Sequence, residues 1–172
     1  MSDYRRAYIP GGCYFFTVVT HRRAPFFESP IHIERLREAF RRVRAQHRFA
    51  IEAIVVLPDH LHTVWRLPPD DADFSMRWRL IKHFVAIGIR VEANARGEKA
   101  VWQRRFWEHV IRDEVDWRRH IDYVHYNPVR HGYADHPADW PWSSFRHAVA
   151  RGWYPPDWGR AVPDQINDMD LE

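Results

Sequence analysis

The apolar positions of this chain switch between two periods, and the switches mark out its elements. CYFFTVVTH, from Cys13 to His21, follows the Gly11-Gly12 breaker and is aromatic and β-branched, which predicts a strand. In PIHIERLREAFRRVRAQH the residues Ile33, Leu36, Phe40 and Val43 recur at helical spacing, with arginines on the other faces. FAIEAIVVL predicts a second strand, which Pro58-Asp59 turns into a third, HLHTVWRL. After the PPDDAD loop, Phe74, Trp78, Ile81, Val85 and Ile89 predict a long amphipathic helix ending near NARGE. AVWQRRFWEHVI reads as a fourth strand with a following loop. Asp113 is placed to cap a last helix, EVDWRRHIDYVHYN, which Pro128 is expected to stop by constraining Asn127.

The order β-α-β-β-α-β followed by a helix predicts an α+β chain of ferredoxin-like (split βαβ) topology. Two helices would cover one face of a four-stranded antiparallel sheet, leaving the other for function. The added C-terminal helix carries Tyr123. At 172 residues the chain suits a single domain over 1–172. A Trp- and Pro-rich extension ends in PDQINDMDLE, with four acids and no base, so about 159–172 is expected to be a flexible acidic tail.

Composition narrows the function. A single cysteine, Cys13, excludes an internal disulfide and any multi-cysteine zinc site. Charges interrupt every apolar run short of the ~18 residues a membrane span needs, and nothing resembles a signal peptide, so a soluble cytoplasmic protein is expected. Of 26 basic residues only Lys82 and Lys99 are lysines. Arginine forks onto phosphate and stacks on bases, and nine tryptophans add stacking surface, a composition that suggests a nucleic-acid partner.

Two side-chain pairs carry candidate chemistry. In LPDHLHTVW, His60 and His62 point to the same side of a strand while Leu61 points to the other. Imidazoles so placed can grip a transition ion such as Mn²⁺, or Mg²⁺ with phosphate and water oxygens; they can equally just hydrogen-bond at a sheet surface. On the last helix Tyr123 and Asn127 are four apart and share a face, so an amide oxygen and a phenol lie one turn from each other. Asn127 can complete the metal site, and Tyr123 can attack a phosphate held there. Tyr126, the rival nucleophile, lies about 100° from Asn127 around the helix rather than about 40°, and packing is its alternative role.

VVLPDHLHTVWRLP resembles the His-hydrophobic-His motif of the single-stranded DNA transposases of small insertion sequences. RRFWEHVIRDEVDWRRHIDYVHYNPVRHG resembles the tyrosine helix of their domesticated relatives, the REP-associated tyrosine transposases. YIPGGCYFFTVVTHRR, FSMRWRLIKHF and DWPWSSFRHAV are similar to further segments of that group, in the expected order, with Cys13 where a threonine is usual. The resemblance implies an HUH-type, metal-dependent (Mg²⁺ or Mn²⁺) endonuclease and strand transferase. Its metal ligands would be His60, His62 and Asn127, and Tyr123 would form a 5′-phosphotyrosine link. It implies single-stranded DNA beside hairpins of repetitive extragenic palindromes as substrate. Arg5, Arg6, Arg22 and Arg23 flank the first strand and are candidate phosphate contacts on DNA. The oligomeric state stays open between monomer and dimer. Two other readings remain: a non-catalytic ferredoxin-like nucleic-acid-binding module, and a replication initiator or relaxase of the HUH type.

Overall fold

The computed structural model describes residues 6–89, 91 and 100–171. Its strands are β1 (Cys13–Val19), β2 (Ala50–Val56), β3 (His60–Arg66) and β4 (Trp107–Val110). Its α-helices are α1 (Pro30–Gln46), α2 (Phe74–Ile87), α3 (Glu114–Arg130) and α4 (Phe145–Ala150). The sheet runs β2-β3-β1-β4, antiparallel throughout, so the predicted βαββαβ order and ferredoxin-like strand arrangement are present. The fourth strand is shorter than expected and begins only after the exposed Arg104 and Arg105. The expected end of the second helix, residues 94–98, lies outside the described residues.

Period-two alternation sorts each strand onto two cores. Tyr14, Phe16 and Val18 of β1, with Leu61 and Trp65 of β3, pack against the apolar stripes of α1 and α2. Trp65 stacks on Trp78 of α2 with ring centroids 4.4 Å apart. The opposite face is not open. Cys13, Phe15, Ala53, Val55 and Val64 pack there against Ile121, Tyr123 and Val124 of α3. The apolar stripe of α3 needs a partner, and the second face of the sheet is the surface that buries it.

The ends of α3 follow local chemistry. The Asp113 carboxylate accepts the Asp116 N–H (2.8 Å), and Glu114 and Asp116 place negative charge at the positive end of the helix dipole. Pro128 does not stop the helix, which continues to Arg130. A proline in the last turn forfeits a single hydrogen bond, and its ring here is buried. Gly132 ends the helix: at φ 72° its N–H reaches Val129 O (3.0 Å) while the Tyr133 N–H reaches Pro128 O (2.9 Å). That is the paired closure of a Schellman motif, and its left-handed residue favours glycine.

A buried polar chain then ties α3 to the C-terminal extension and to β2. The Ile54 N–H donates to Ser144 Oγ (2.9 Å), which lies 2.8 Å from His125 Nε2. His125 Nδ1 meets the Tyr154 hydroxyl (3.2 Å), which donates to Asp122 (2.6 Å). Burial pushes His125 down to about 3, so it stays neutral, as a ring that donates at one nitrogen and accepts at the other must. Residues 142–144 also hydrogen-bond along the edge of β2, covering what would otherwise be an exposed strand edge. The acidic segment predicted to be flexible is packed as well, with Ile166 and Met169 buried against the α3 core. Acidic composition describes its solvent side, whereas its spaced apolar residues determine where it docks.

Candidate active site

His60 and His62 lie on β3 facing α3, their ring centroids 4.9 Å apart. The Tyr123 ring meets His62 edge-on at 5.2 Å, and the His131 ring meets His60 at 5.2 Å. Asn127 falls midway between Tyr123 and His131, one helical turn from each, so α3 carries it along the same two imidazoles. All four of His60, His62, Tyr123 and Asn127 are buried. Tyr126 points elsewhere and packs edge-on against Trp158 at 6.3 Å.

Both imidazoles are oriented from behind. His60 Nδ1 lies 2.5 Å from the Asp59 carboxylate, which in turn pairs with Arg23 at 3.1 Å. Burial alone would raise the Asp59 carboxyl, but the hydrogen bonds and charges of His60 and Arg23 outweigh it and hold Asp59 below the usual carboxylate range. His62 Nδ1 lies 2.9 Å from Thr17 Oγ1, whose hydroxyl donates to Leu171 O (2.7 Å). With that hydroxyl proton committed, Thr17 accepts from His62. Both rings therefore carry their proton on Nδ1, which makes Nε2 the nitrogen that would ligate, the tautomer a metal-ligating histidine needs.

Asn127 provides the test of fit. Its side-chain oxygen and nitrogen are both buried, and no described residue hydrogen-bonds either. A buried amide left so is costly, of the order of ~1–3 kcal/mol, unless something else satisfies it. Two imidazole nitrogens and an amide oxygen make a mixed donor set suited to Mn²⁺, or to Mg²⁺ with water and phosphate oxygens. A second cluster contrasts with it: His109, Asp116 and His120 offer ligand atoms within 4.8 Å of one another. Its members already satisfy each other, His109 Nε2 to Asp116 at 2.8 Å and His120 Nδ1 to the Asp116 backbone oxygen at 2.8 Å. The Arg112 N–H adds a further bond to Asp116 (2.9 Å), so this cluster serves as a clasp between β4 and α3.

The candidate DNA contacts separate. Arg23 joins the site through Asp59, and Arg22 is exposed beside it in the 3-10 turn His21–Arg23. Arg6 lies on the other face of the sheet, over Phe106 (3.9 Å) and 3.6 Å from Glu108, which pairs cross-strand with Phe16. Arg5 lies outside the described residues. Sequence reasoning missed Asp59, taken only as a turn residue, and Thr17, whose role appears once β1 and β3 are in register. It also missed the C-terminal segment, whose Leu171 N–H donates to the Tyr123 hydroxyl (3.3 Å).

A ferredoxin-like sheet whose paired histidines face a tyrosine on a covering helix belongs to a known class of DNA-rearranging proteins. The family model described as "Transposase IS200 like" matches residues 11–125, which include His60, His62 and Tyr123. The chain belongs to this family of IS200-like transposases and, within it, to the REP-associated tyrosine transposases. It is 47% identical over 165 residues to the REP-associated tyrosine transposase of Escherichia coli (strain K12), covering 95% of this chain and 94% of that protein. A putative REP-associated tyrosine transposase of Haemophilus influenzae is 39% identical over 166 residues, covering 92% and 94%. Among solved structures, a REP-associated tyrosine transposase bound to a REP hairpin superposes with a TM-score of 0.82 at 47% identity, over 95% of this chain and 94% of that one.

Proposed function

We propose that this chain is a metal-dependent endonuclease and strand transferase for single-stranded DNA beside hairpins of repetitive extragenic palindromes, with Tyr123 as its nucleophile. The observation that carries the reading is the juxtaposition on one helix of a phenol against His62 and, one turn on, a buried amide with no described hydrogen-bond partner. His60, His62 and Asn127 would hold a divalent ion, Mg²⁺ or Mn²⁺, which when bound supplies Lewis-acid polarisation of the scissile phosphate. Asp59 and Thr17 hold the two imidazoles in the ligating tautomer.

Tyr123 Oη forms a bond to phosphorus as the bond from phosphorus to the 3′ oxygen breaks. The phenol gives up a proton and the leaving 3′ oxygen takes one up, so the products are a 5′-phosphotyrosine link and a free 3′ hydroxyl. Because the phosphoester is conserved in the link, a 3′ hydroxyl can attack it in reverse and rejoin strands. Tyr123 is 0% exposed beneath the C-terminal segment, so a phosphate reaches Oη only once that segment moves aside. The hairpin substrate is supported by the 47% identical relative whose structure holds a REP hairpin. A binding module that works through an open sheet face is disfavoured, because α3 covers that face. No helix among the described residues is long and apolar enough to cross a membrane, and a buried free Cys13 suits the reducing cytoplasm in which we place the protein.

Hairpin DNA carrying a single-stranded flank, incubated with Mn²⁺, tests the chemistry on a denaturing gel. Tyr123→Phe should lose the protein–DNA adduct while still binding the hairpin, and Tyr126→Phe should keep it. Adduct formation by Tyr123→Phe would remove Tyr123 as nucleophile.

A further inference from the structure

The edge of the sheet next to this site presents an aromatic side chain that the chemistry above does not use. Trp107 opens β4, the edge strand, and is 40% exposed. It pairs cross-strand with Thr17, the residue that orients His62, and so lies on the same face as the site. One ring links it to the reacting groups: Phe15 meets Trp107 edge-on at 5.7 Å, lies near-parallel to His62 at 5.5 Å, and meets Tyr123 edge-on at 5.9 Å. The indole is also backed. Trp107 and His109 are within 11° of parallel (6.1 Å), His109 and His120 within 14° (4.5 Å), and His109 is fixed by Asp116 at 2.8 Å.

We infer that Trp107 is the stacking platform for a base of the single strand next to the scissile phosphate. This rests on the DNA-cleaving reading above and specifies how that site takes its substrate. The occupant is a nucleobase for two reasons. A rigid indole face exposed at a strand edge suits a planar aromatic ring of any sequence, which is how single strands are gripped without base-edge readout. The neighbouring exposed Arg104 and Arg105 supply the positive charge that a strand running along that edge requires. Among the described residues no strand pairs with the outer side of β4.

The test is a double-mutant cycle in binding, read by fluorescence anisotropy in EDTA so that cleavage does not enter. The full-length wild-type, Trp107→Ala and Trp107→Phe chains are titrated with a REP-type hairpin bearing a single-stranded flank. A second set of oligonucleotides moves one abasic site along the flank. Trp107→Ala should weaken binding of the intact flank by about 5- to 150-fold, the range for one stacked base, and Trp107→Phe by no more than about threefold. At one flank position the abasic substitution should abolish the difference between wild type and Trp107→Ala. Tight binding that ignores Trp107 overturns the platform and leaves the DNA reading standing. So does an alanine defect equal at every abasic position, which marks a general structural loss, with thermal melting of Trp107→Ala as the control. Failure of the wild type to bind the hairpin at all sinks the DNA reading and the platform with it.

Discussion

Replacing Asp59 by Asn isolates the contribution of the residue behind the proposed metal ligand His60. The substitution keeps shape and leaves the Asp59 backbone oxygen, which accepts from the Thr20 N–H and hydroxyl (2.8 Å each), where it is. It removes the negative charge that a 2.5 Å hydrogen bond delivers to His60 Nδ1. Carboxylates behind metal-bound histidines are worth about 10- to 100-fold in metal affinity, so Asp59→Asn should weaken Mn²⁺ binding by that factor, about 1.4–2.7 kcal/mol. Arg23 acts one step further out through a pair whose arginine side chain is 46% exposed, where solvent screening limits an ion pair to about 0.2–1 kcal/mol. Arg23→Ala should therefore cost less than about fivefold. Titration calorimetry with Mn²⁺ on wild type, Asp59→Asn, Arg23→Ala and His60→Ala should rank the losses His60 > Asp59 > Arg23. An Arg23 loss equal to that of Asp59, or an Asp59→Asn affinity within twofold of wild type, refutes the orientation argument.

Two further outcomes test the surrounding structure. Folded His125 titrates near 3 against about 6.5 in the unfolded chain, so below pH ~6.5 the unfolded state takes up a proton that the folded state refuses. Its contribution to stability should fall by about 1.4 kcal/mol per pH unit on acidification, and the urea-unfolding gap between wild type and His125→Gln should narrow from pH 7 to 4.5; a constant gap contradicts the assignment. Truncation after Pro163 removes the buried Ile166 and Met169 and the N–H on Tyr123. It should cost about 2–4 kcal/mol, an amount set by two partly compensated apolar side chains, and it should open Tyr123 to acetylation by N-acetylimidazole. Mass spectrometry that finds Tyr123 equally modified in the full-length chain would show that the segment does not cover it.

The elements were legible because local periodicity is a local property. Alternation along HLHTVWR puts His60 and His62 on one side wherever the strand goes, and i,i+4 spacing puts Tyr123 and Asn127 on one helix face whatever the helix covers. The end of α3 was misread although its signal was present. Pro128 is conspicuous in sequence yet forfeits one hydrogen bond in a last turn, whereas Gly132 supplies the left-handed backbone that closes the helix.

By itself, then, the sequence determined the strand and helix order, the side of β3 that carries the histidines, and the face of α3 that carries the tyrosine and the amide. Only the tertiary structure decided that these two faces meet, that the sheet is covered on both sides, and that Asp59 and Thr17 turn the imidazoles. It also decided that Arg6 goes to the opposite face and that an acidic C-terminal segment lies over Tyr123. The physical reason is range. Backbone sterics and hydrogen bonding act within a few residues and write their period into the chain. Which apolar face buries against which is settled by contacts such as Thr17 with Leu171, 154 residues apart, whose energy exists only when the whole fold is assembled.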